Sequence, residues 1–410
     1  MVSSKTITAF SDFRFGGTNK NSVHQQQHPS AQEYVDYLQA YCDKFDLTDK
    51  IRFHCTVLSI TDAAPLSTSN NKHHEDEDAA GYIVQLQRND PFTGKPPVVE
   101  TRHFHLVAVC TGLHNVPWQP VIENRDKFQG TILHSWQYKD QSIFVNKQDD
   151  GDETKQQTRV LIVGSGETAM DIAHRAVTNP HVAEVAMCVR NGLLSIPHQI
   201  TSTRPLDVFI TNLFEHAYEH PWVHALRLRW LLSTLVIRIF LCLTGSSWGF
   251  NQWAFPVDTV QRGYHIINKS HAAMSHLNVL PKRKTAWGRF WLWVYGETNL
   301  SPIRTFAKTC IRGIDDQNGV TVHFENGQSF DADVIICATG YKQSFPFLDE
   351  TIRTQFQRES NLAGQVFGHA QDKEDCLPSE HFIVSNRRPR LGFVGFVRPN
   401  VGAIPPVRIQ

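Results

Sequence analysis

The residues of this chain best placed to do chemistry stand in one short run, Gly164-Ser165-Gly166-Glu167-Thr168-Ala169, directly after the apolar segment Arg159-Val160-Leu161-Ile162-Val163. A strand, a glycine turn and a helix start in that order make the G-x-G-x-x-A fingerprint of a dinucleotide phosphate site. Gly164 permits the tight turn, Gly166 lets the backbone approach a pyrophosphate, and Ala169 lets helix and strand lie close. Ser165, Glu167 and Thr168 complete the loop and open a helix that runs to Ala176, with its positive N-terminal end aimed at the phosphates. A second apolar segment, Val185 to Val189, completes the βαβ unit. The residue after it decides which dinucleotide is held. An acid would bond the ribose 2′-hydroxyl and repel a 2′-phosphate, but Arg190 stands here. A guanidinium pairs a phosphate through charge-assisted bonds, so the pattern predicts NADP(H) rather than NAD.

Other elements must hold that loop in place. Two apolar runs end in glycine turns: Leu106 to Cys110 opens into Thr111-Gly112, and Val334 to Cys337 into Ala338-Thr339-Gly340-Tyr341. Both read as buried strands leading into tight turns, and they suggest crossover points between domains. Upstream, Ser30 and Glu33 form a capping box, and Tyr34, Tyr37, Leu38, Tyr41 and Phe45 recur at helical spacing, so a helix with one buried face is predicted. Strands are expected around Ile51 to Ser59 and Tyr82 to Gln87. The polar stretch Ser67 to Asp78 between them reads as a solvated loop rather than a metal site, despite His73 and His74. Gln141 to Gln157 reads as a loop leading into the fingerprint, and Asn326-Gly327 marks a hairpin.

Composition bounds the function. A chain of 410 residues exceeds a single core and predicts two domains. Its 40 Lys and Arg balance 40 Asp and Glu, so no basic field draws in nucleic acid, which is not expected as a partner. The eight cysteines are scattered without a C-x-x-C pair or zinc spacing, which points to a reducing, cytoplasmic compartment and to no metal. Met1 to Gly17 lacks the basic and apolar regions of a signal peptide. Trp230 to Thr244 is the most apolar stretch. It is short for a span and carries Arg238 at its middle, so it reads as a buried or an interfacial helix. As an interfacial helix it would give peripheral membrane contact through residues 230–244.

Between the two glycine-ended runs, Phe128-Gln129-Gly130-Thr131-Ile132-Leu133-His134-Ser135-Trp136-Gln137-Tyr138 matches F-x-G-x-x-x-H-x-x-x-(Y/F) at every fixed position. It resembles the identifying sequence of the flavin-containing monooxygenases, class B flavoprotein monooxygenases, and stands just upstream of an NADP-type turn as in that family. The related Baeyer–Villiger monooxygenases usually end the motif in Trp, so Tyr138 leans toward the heteroatom-oxidising branch. Phe10 to Phe13, Tyr37-Leu38-Gln39, Cys337 to Tyr341 with Phe345 to Leu348, and Gly395-Phe396 with Gly402 to Pro405 resemble further landmarks in family order.

The resemblance implies an α/β fold of two-dinucleotide-binding flavoprotein architecture. Residues 1–140 would be a partial FAD-binding domain with the linker motif. Residues 155–330 would be an inserted Rossmann-like NADP-binding domain with an apolar helical insertion at about 205–255, and residues 331–410 the return to the FAD domain. The implied activity is that of an N,N-dimethylaniline-type monooxygenase, in which NADPH reduces FAD and O2 then gives a C4a-hydroperoxyflavin that oxygenates the nitrogen or sulfur of a small soft nucleophile. Carried over residue by residue, Gly164, Gly166 and Ala169 line the pyrophosphate and Arg190 the 2′-phosphate. Phe128, Gly130, His134 and Tyr138 form a linker beside the NADP site, and Thr111-Gly112 and Thr339-Gly340 bring the two domains together. The cofactors carry the chemistry, and no side-chain nucleophile is implied.

The sequence departs from the family in one respect that matters. No strand with Gly-x-Gly-x-x-Gly for the FAD pyrophosphate is present, since Phe15-Gly16-Gly17 has neither a preceding strand nor a third glycine, and no asparagine stands near Val2. The expectation is a chain cut at its N-terminus and, beyond the Gly-Ala-Ile-Pro landmark, at its C-terminus, which by itself binds FAD weakly or not at all. A non-catalytic NADP-binding remnant and a Baeyer–Villiger oxygenase are the alternative readings.

Overall fold

The structure, a computed structural model, describes residues 4–16, 28–63, 81–89, 96–145, 157–190, 199–201, 204–205, 235, 239, 272–277, 279, 286–295, 300–362, 384–385 and 387–396. Its principal elements are, in chain order, α1 (Ala31–Lys44), β1 (Cys55–Asp62), β2 (Tyr82–Arg88), β3 (Val98–Phe104), β4 (Val107–Val109), β5 (Thr131–His134), β6 (Thr158–Val163) and α2 (Glu167–Val177). There follow β7 (Val182–Val189), α3 (Ala286–Tyr295), β8 (Ile303–Ala307), β9 (Ile311–Ile314), β10 (Thr321–Phe324), β11 (Ser329–Asp331), β12 (Val334–Cys337), α4 (Glu350–Leu362) and β13 (Leu391–Phe393). Contacts divide the chain into two compact units, one of Met1–Ala31, Pro117–Gly340 and Pro399–Pro406, the other of Gln32–Val116, Tyr341–Arg398 and Val407–Gln410.

A five-stranded sheet of order β8-β7-β6-β12-β5 organises the first unit, and every ladder in it is parallel. Parallel strands covered on both faces need apolar side chains at nearly every position, which is why Val160 to Val163 and Val334 to Cys337 are unbroken apolar runs. Alternation then sorts them. Val160, Ile162, Val185, Met187 and Ile336 face Ala169, Met170, Ala173 and Ala176 of α2, whose small residues let the helix lie close. Leu161, Ala186, Cys188, Ile335 and Cys337 face the opposite way, into a core with Val322, Phe324 and Phe330 of the antiparallel sheet β9-β10-β11. Phe306 and Phe324 stack there with ring centroids 4.3 Å apart. Gly327, at φ +80, turns the β10-β11 hairpin where Asn326-Gly327 predicts it.

Arg159 and Asp333 pin the starts of β6 and β12. Nε and Nη2 of Arg159 donate to the two carboxylate oxygens at 3.1 and 2.9 Å, and the Arg159 backbone N–H donates to the same carboxylate at 2.7 Å. The paired charge-assisted bonds fix one register for two strands that are distant in sequence. Burial is the largest single influence and acts to raise the Asp333 pKa, but the Arg159 bonds and charge together outweigh it and hold the carboxylate below its usual range.

The second unit contains the antiparallel sheet β1-β2-β3 and the parallel pair β4-β13. Its core includes Ile60, Tyr82, Val84, Val109, Phe345, Ile352, Phe356 and Phe393. α1 begins one residue after Ser30, as the capping signal predicts, though of its periodic aromatic and leucine positions only Tyr37 is fully buried.

β5 and β12 are both strands of the parallel sheet, and the first unit includes Pro117–Gly340. The physical reason is hydrogen bonding. β12 pairs with β6 on one side and β5 on the other, and this draws the linker motif into the nucleotide-type sheet. The expected loop Ser67 to Asp78, the stretch Trp230 to Thr244 apart from Leu235 and Ile239, most of the insertion at 205–255, Val2 and the Gly402 to Pro405 landmark lie outside the described residues. Among the described residues no helix is long and apolar enough to cross a membrane.

Candidate functional site

From β6 the chain passes through α2 to β7, then to β8 on the same side, and later returns to β12 on the other side of β6. The switch point is therefore between β6 and β12, and ligands of open α/β sheets bind in the crevice beyond the carboxyl ends of such strands. Gly164 stands at that end of β6 with φ +121, and a Cβ on it would lie 2.4 Å from the carbonyl oxygen of Ala338. Both neighbouring strands stitch the turn down. The Gly164 N–H donates to Cys188 O at 2.9 Å, and the Ala338 N–H donates to Val163 O at 2.9 Å.

Gly166 is the N-cap of α2, in extended backbone, and as a glycine it has no side chain of its own to cap the helix. It is exposed, and a Cβ on it would meet nothing within 4 Å. The first-turn amides of a helix have no intrahelical acceptor, so an anion is the ligand that this N-terminus suits. Ala169 is fully buried under the helix, Ser165 and Glu167 are half-buried and Thr168 is exposed. Arg190, exposed, follows the last residue of β7. The residues present thus fit the NADP(H) fingerprint: close contact where Gly164 predicts it, and open space for a phosphate at Gly166.

The linker motif fits together differently. Phe128 packs into the core below the sheet on the β9-β10-β11 side. Gly130 is needed because a Cβ there would lie 2.1 Å from Asp333 O, the same oxygen that accepts from the Thr131 N–H at 3.0 Å. His134 is 1% exposed. Its Nδ1 accepts from the Trp136 N–H at 3.1 Å, so Nε2 carries the proton and donates to Gly340 O at 3.0 Å. Burial pushes its pKa below the ordinary histidine value, against the opposing effect of the Gly340 bond. Tyr138 lies in the core on the α2 side, 5.9 Å from Phe144 between ring centroids, and burial raises its pKa.

Gly340, at φ +87, offers its carbonyl to two donors, His134 Nε2–H and the Trp118 N–H, each at 3.0 Å. Thr339 Oγ1 donates to Trp118 O. The structure therefore brings Gly164, Gly166, Thr339 and Gly340 to one end of the sheet, with His134 behind Gly340. Phe128, Gly130 and Tyr138 act on the site through the scaffold. Both ring nitrogens of His134 are bonded to backbone, which makes it a support for the turn. Thr111 and Gly112 belong to the other unit, where Gly112 takes φ +75.

Sequence reasoning missed Asp333 and Trp118. Asp333 left a signal: an acid heads one apolar run and Arg159 heads the other, at equivalent strand starts. Trp118 left none, since its backbone does the bonding. The residues present do not fit FAD in the same way. G-x-G-x-x-(G/A) occurs once in the sequence, at Gly164, and among the described residues the second unit has the β4-β13 pair and the Gly112 turn without such a glycine run. Among the described residues no group of three or more His, Cys, Asp or Glu could hold a metal ion.

Fold and site together define a Rossmann-like dinucleotide-binding α/β protein. The chain belongs to the flavin-binding monooxygenase-like family, whose model matches residues 1–233 and 305–384. It is 29% identical over 443 residues to a monooxygenase of Penicillium crustosum, covering 99% of this chain and 65% of that protein. To flavin-containing monooxygenase 1 of Oryctolagus cuniculus it is 27% identical over 411 residues, covering 98% of this chain and 60% of the other. The chain thus spans a little under two thirds of the length of these curated relatives. A doubly mutated flavin monooxygenase from Stenotrophomonas maltophilia superposes with a TM-score of 0.50 at 13% identity, over 98% of this chain and 78% of that one. The fold is that of the two-dinucleotide-binding flavoproteins, and FAD and NADP(H) are the cofactors of the family.

Proposed function

We propose that this chain carries the NADP(H) site of an NADPH- and O2-dependent flavin monooxygenase that oxygenates the nitrogen or sulfur of small soft nucleophiles. The observation that carries the reading is the switch-point crevice, with Gly164 against Ala338, the N-terminus of α2 at Gly166, where a Cβ would meet nothing within 4 Å, and Arg190 beyond β7. The bound groups supply hydride donation and oxygen activation. The chain's own residues bind and orient. Gly164 and Gly166 admit the pyrophosphate to the amides of α2, with Ser165, Glu167 and Thr168 around it and Ala169 holding the helix down. Arg190 pairs with the 2′-phosphate. His134, Gly130, Phe128 and Tyr138 hold β5 and the Thr339-Gly340 turn in place, so that the crevice is formed before a ligand arrives. Residues 1–140, 155–330 and 331–410 remain the proposed functional segments, with Thr111-Gly112 and Thr339-Gly340 as the crossing turns.

A second reading, an NADP-binding protein that works without the flavin, is favoured by the single glycine fingerprint. One experiment separates them. NADPH oxidation by the purified chain is followed with FAD supplied, first alone and then with a thioether, a tertiary amine or a cyclic ketone. Sulfoxide or N-oxide formation supports the monooxygenase, and lactone formation from the ketone would move it to the Baeyer–Villiger branch. NADP+ binding with background oxidation throughout selects the flavin-independent protein.

A further inference from the structure

In the second unit β3 is an edge strand. It pairs with β2 in unbroken register, from Val98 opposite Arg88 to Phe104 opposite Tyr82, and among the described residues no strand pairs with its other side. An edge presents a row of outward backbone N–H and C=O groups, a template for another strand, and proteins blunt it with prolines or with charges that repel a second edge. Pro96 and Pro97 stand just before β3 and bound its length. Its side chains alternate: Val98, Glu100, Arg102 and Phe104 share one face, and Val99, Thr101 and His103 the other. Val98 is 63% and Val99 57% exposed although they point to opposite faces, so neither face is covered at this end of the strand. Phe104, at the far end, is 39% exposed.

The order of these residues is complementary to itself. When β3 is laid antiparallel against a second copy with Thr101 opposite Thr101, Glu100 of each copy faces Arg102 of the other, and the charges alternate in sign around a square. The same register sets the exposed Val98 against the exposed Phe104 at both ends, and Val99 against His103 on the other face. A slip of two residues, the smallest that keeps the faces matched, would set Glu100 against Glu100 in one direction and Arg102 against Arg102 in the other. Charges that only protect an edge repel a second copy in every register, and these repel it in the neighbouring ones alone. Within one copy Arg102 Nη2 donates to Glu100 Oε2 at 2.9 Å and Arg52 Nη1 to Glu100 Oε1 at 3.4 Å. A carboxylate and a guanidinium each accommodate several partners, so these bonds leave room for a further one.

We propose that β3 is a self-association edge, at which two copies of this chain pair their β3 strands antiparallel about Thr101 and join their sheets into one of order β1-β2-β3-β3-β2-β1. The contact is isologous and uses up the edge of each copy, so assembly closes at the dimer. Unlike charges directly opposite one another stabilise an antiparallel pair and like charges destabilise it, so Glu100 and Arg102 fix the register as well as the partner.

The test is sedimentation velocity of the full chain over roughly 1 to 200 µM, where the parent is expected to pass from monomer to dimer. Arg102→Glu and Glu100→Arg each set like charges opposite at both positions, and each should weaken association at least about tenfold. The double variant Glu100→Arg with Arg102→Glu inverts both signs and keeps them complementary, so it should associate within about threefold of the parent. An equimolar mixture of the two single variants should also associate, although neither does so alone. Circular dichroism checks that these surface changes keep the fold, and a loss caused by local unfolding would be reversed neither by mixing nor by the second substitution. A parent that stays monomeric throughout overturns the proposal. So does a parent dimer that Arg102→Glu leaves unchanged, since its interface would lie elsewhere, and so does a double variant as weak as the single ones. Assembly beyond the dimer overturns it too, because it needs a second surface.

Discussion

Replacing His134 with alanine is expected to destabilise the unit containing the parallel sheet by about 3–4 kcal/mol. Two ring hydrogen bonds are lost, to Gly340 O and from the Trp136 N–H, each contributing about 1 kcal/mol net. Gly340 O keeps its Trp118 donor, and Trp136 is 59% exposed, so water can reach the partners left behind. This places the polar loss at roughly 2 kcal/mol, toward the low end for unsatisfied groups. The ring is 1% exposed, and the void it leaves adds about 1–2 kcal/mol. A pH signature comes with the loss. Burial lowers the His134 pKa, so the unfolded chain takes up a proton near pH 6.5 while the native state does so only at lower pH. Below about pH 6.5 the unfolded state binds more protons, and stability falls as pH falls toward the native pKa. The alanine variant lacks this contribution. Its deficit, measured by urea unfolding with tryptophan fluorescence, should therefore be larger at pH 8 than at pH 5.5. A deficit below about 0.5 kcal/mol, or one identical at both pH values, would refute the assignment of a buried neutral ring donating to Gly340.

Three further outcomes are expected. Gly164→Ala should abolish NADP+ binding and cost about 2–4 kcal/mol, because its Cβ meets Ala338 O at 2.4 Å in a φ +121 backbone; a variant that binds normally in fluorescence titration contradicts the close approach. Glu167→Gln should strengthen NADP+ binding about two- to fivefold, since it removes a like charge from the first turn of α2; weaker binding would show that the carboxylate serves the ligand. The chain purified from cells should carry little flavin, and stoichiometric absorbance near the flavin maximum would overturn that expectation.

The βαβ unit was legible in the sequence because each step has a steric demand that few residues meet. β6 and α2 begin within one residue of the positions expected from Arg159 and Thr168. The Asn326-Gly327 hairpin was legible for the same reason. β5 was not: Thr131–His134 is too short to show a period, and it becomes a strand only because β12 presents an open edge. β3 was missed because Val98–Phe104 is largely exposed and mixes apolar with charged side chains. At the site, the glycines declared their positions while the linker residues declared only membership of a motif. The tasks of Gly130 and His134 are set by carbonyl oxygens of Asp333 and Gly340, more than two hundred positions along the chain, which no local pattern encodes.

That separation also sets an order of events. The β6-α2-β7 crossover joins near neighbours, whereas the contact of His134 with Gly340 closes a loop of 206 residues. Loop closure over such a length costs more entropy, and non-local parallel pairing is slow. The turn bearing Gly340 is thus among the last parts of the sheet to settle. In a refolding chain β6, α2 and β7 are expected to return first, and the crevice to become competent to hold a nucleotide only when β12 and then β5 have joined them.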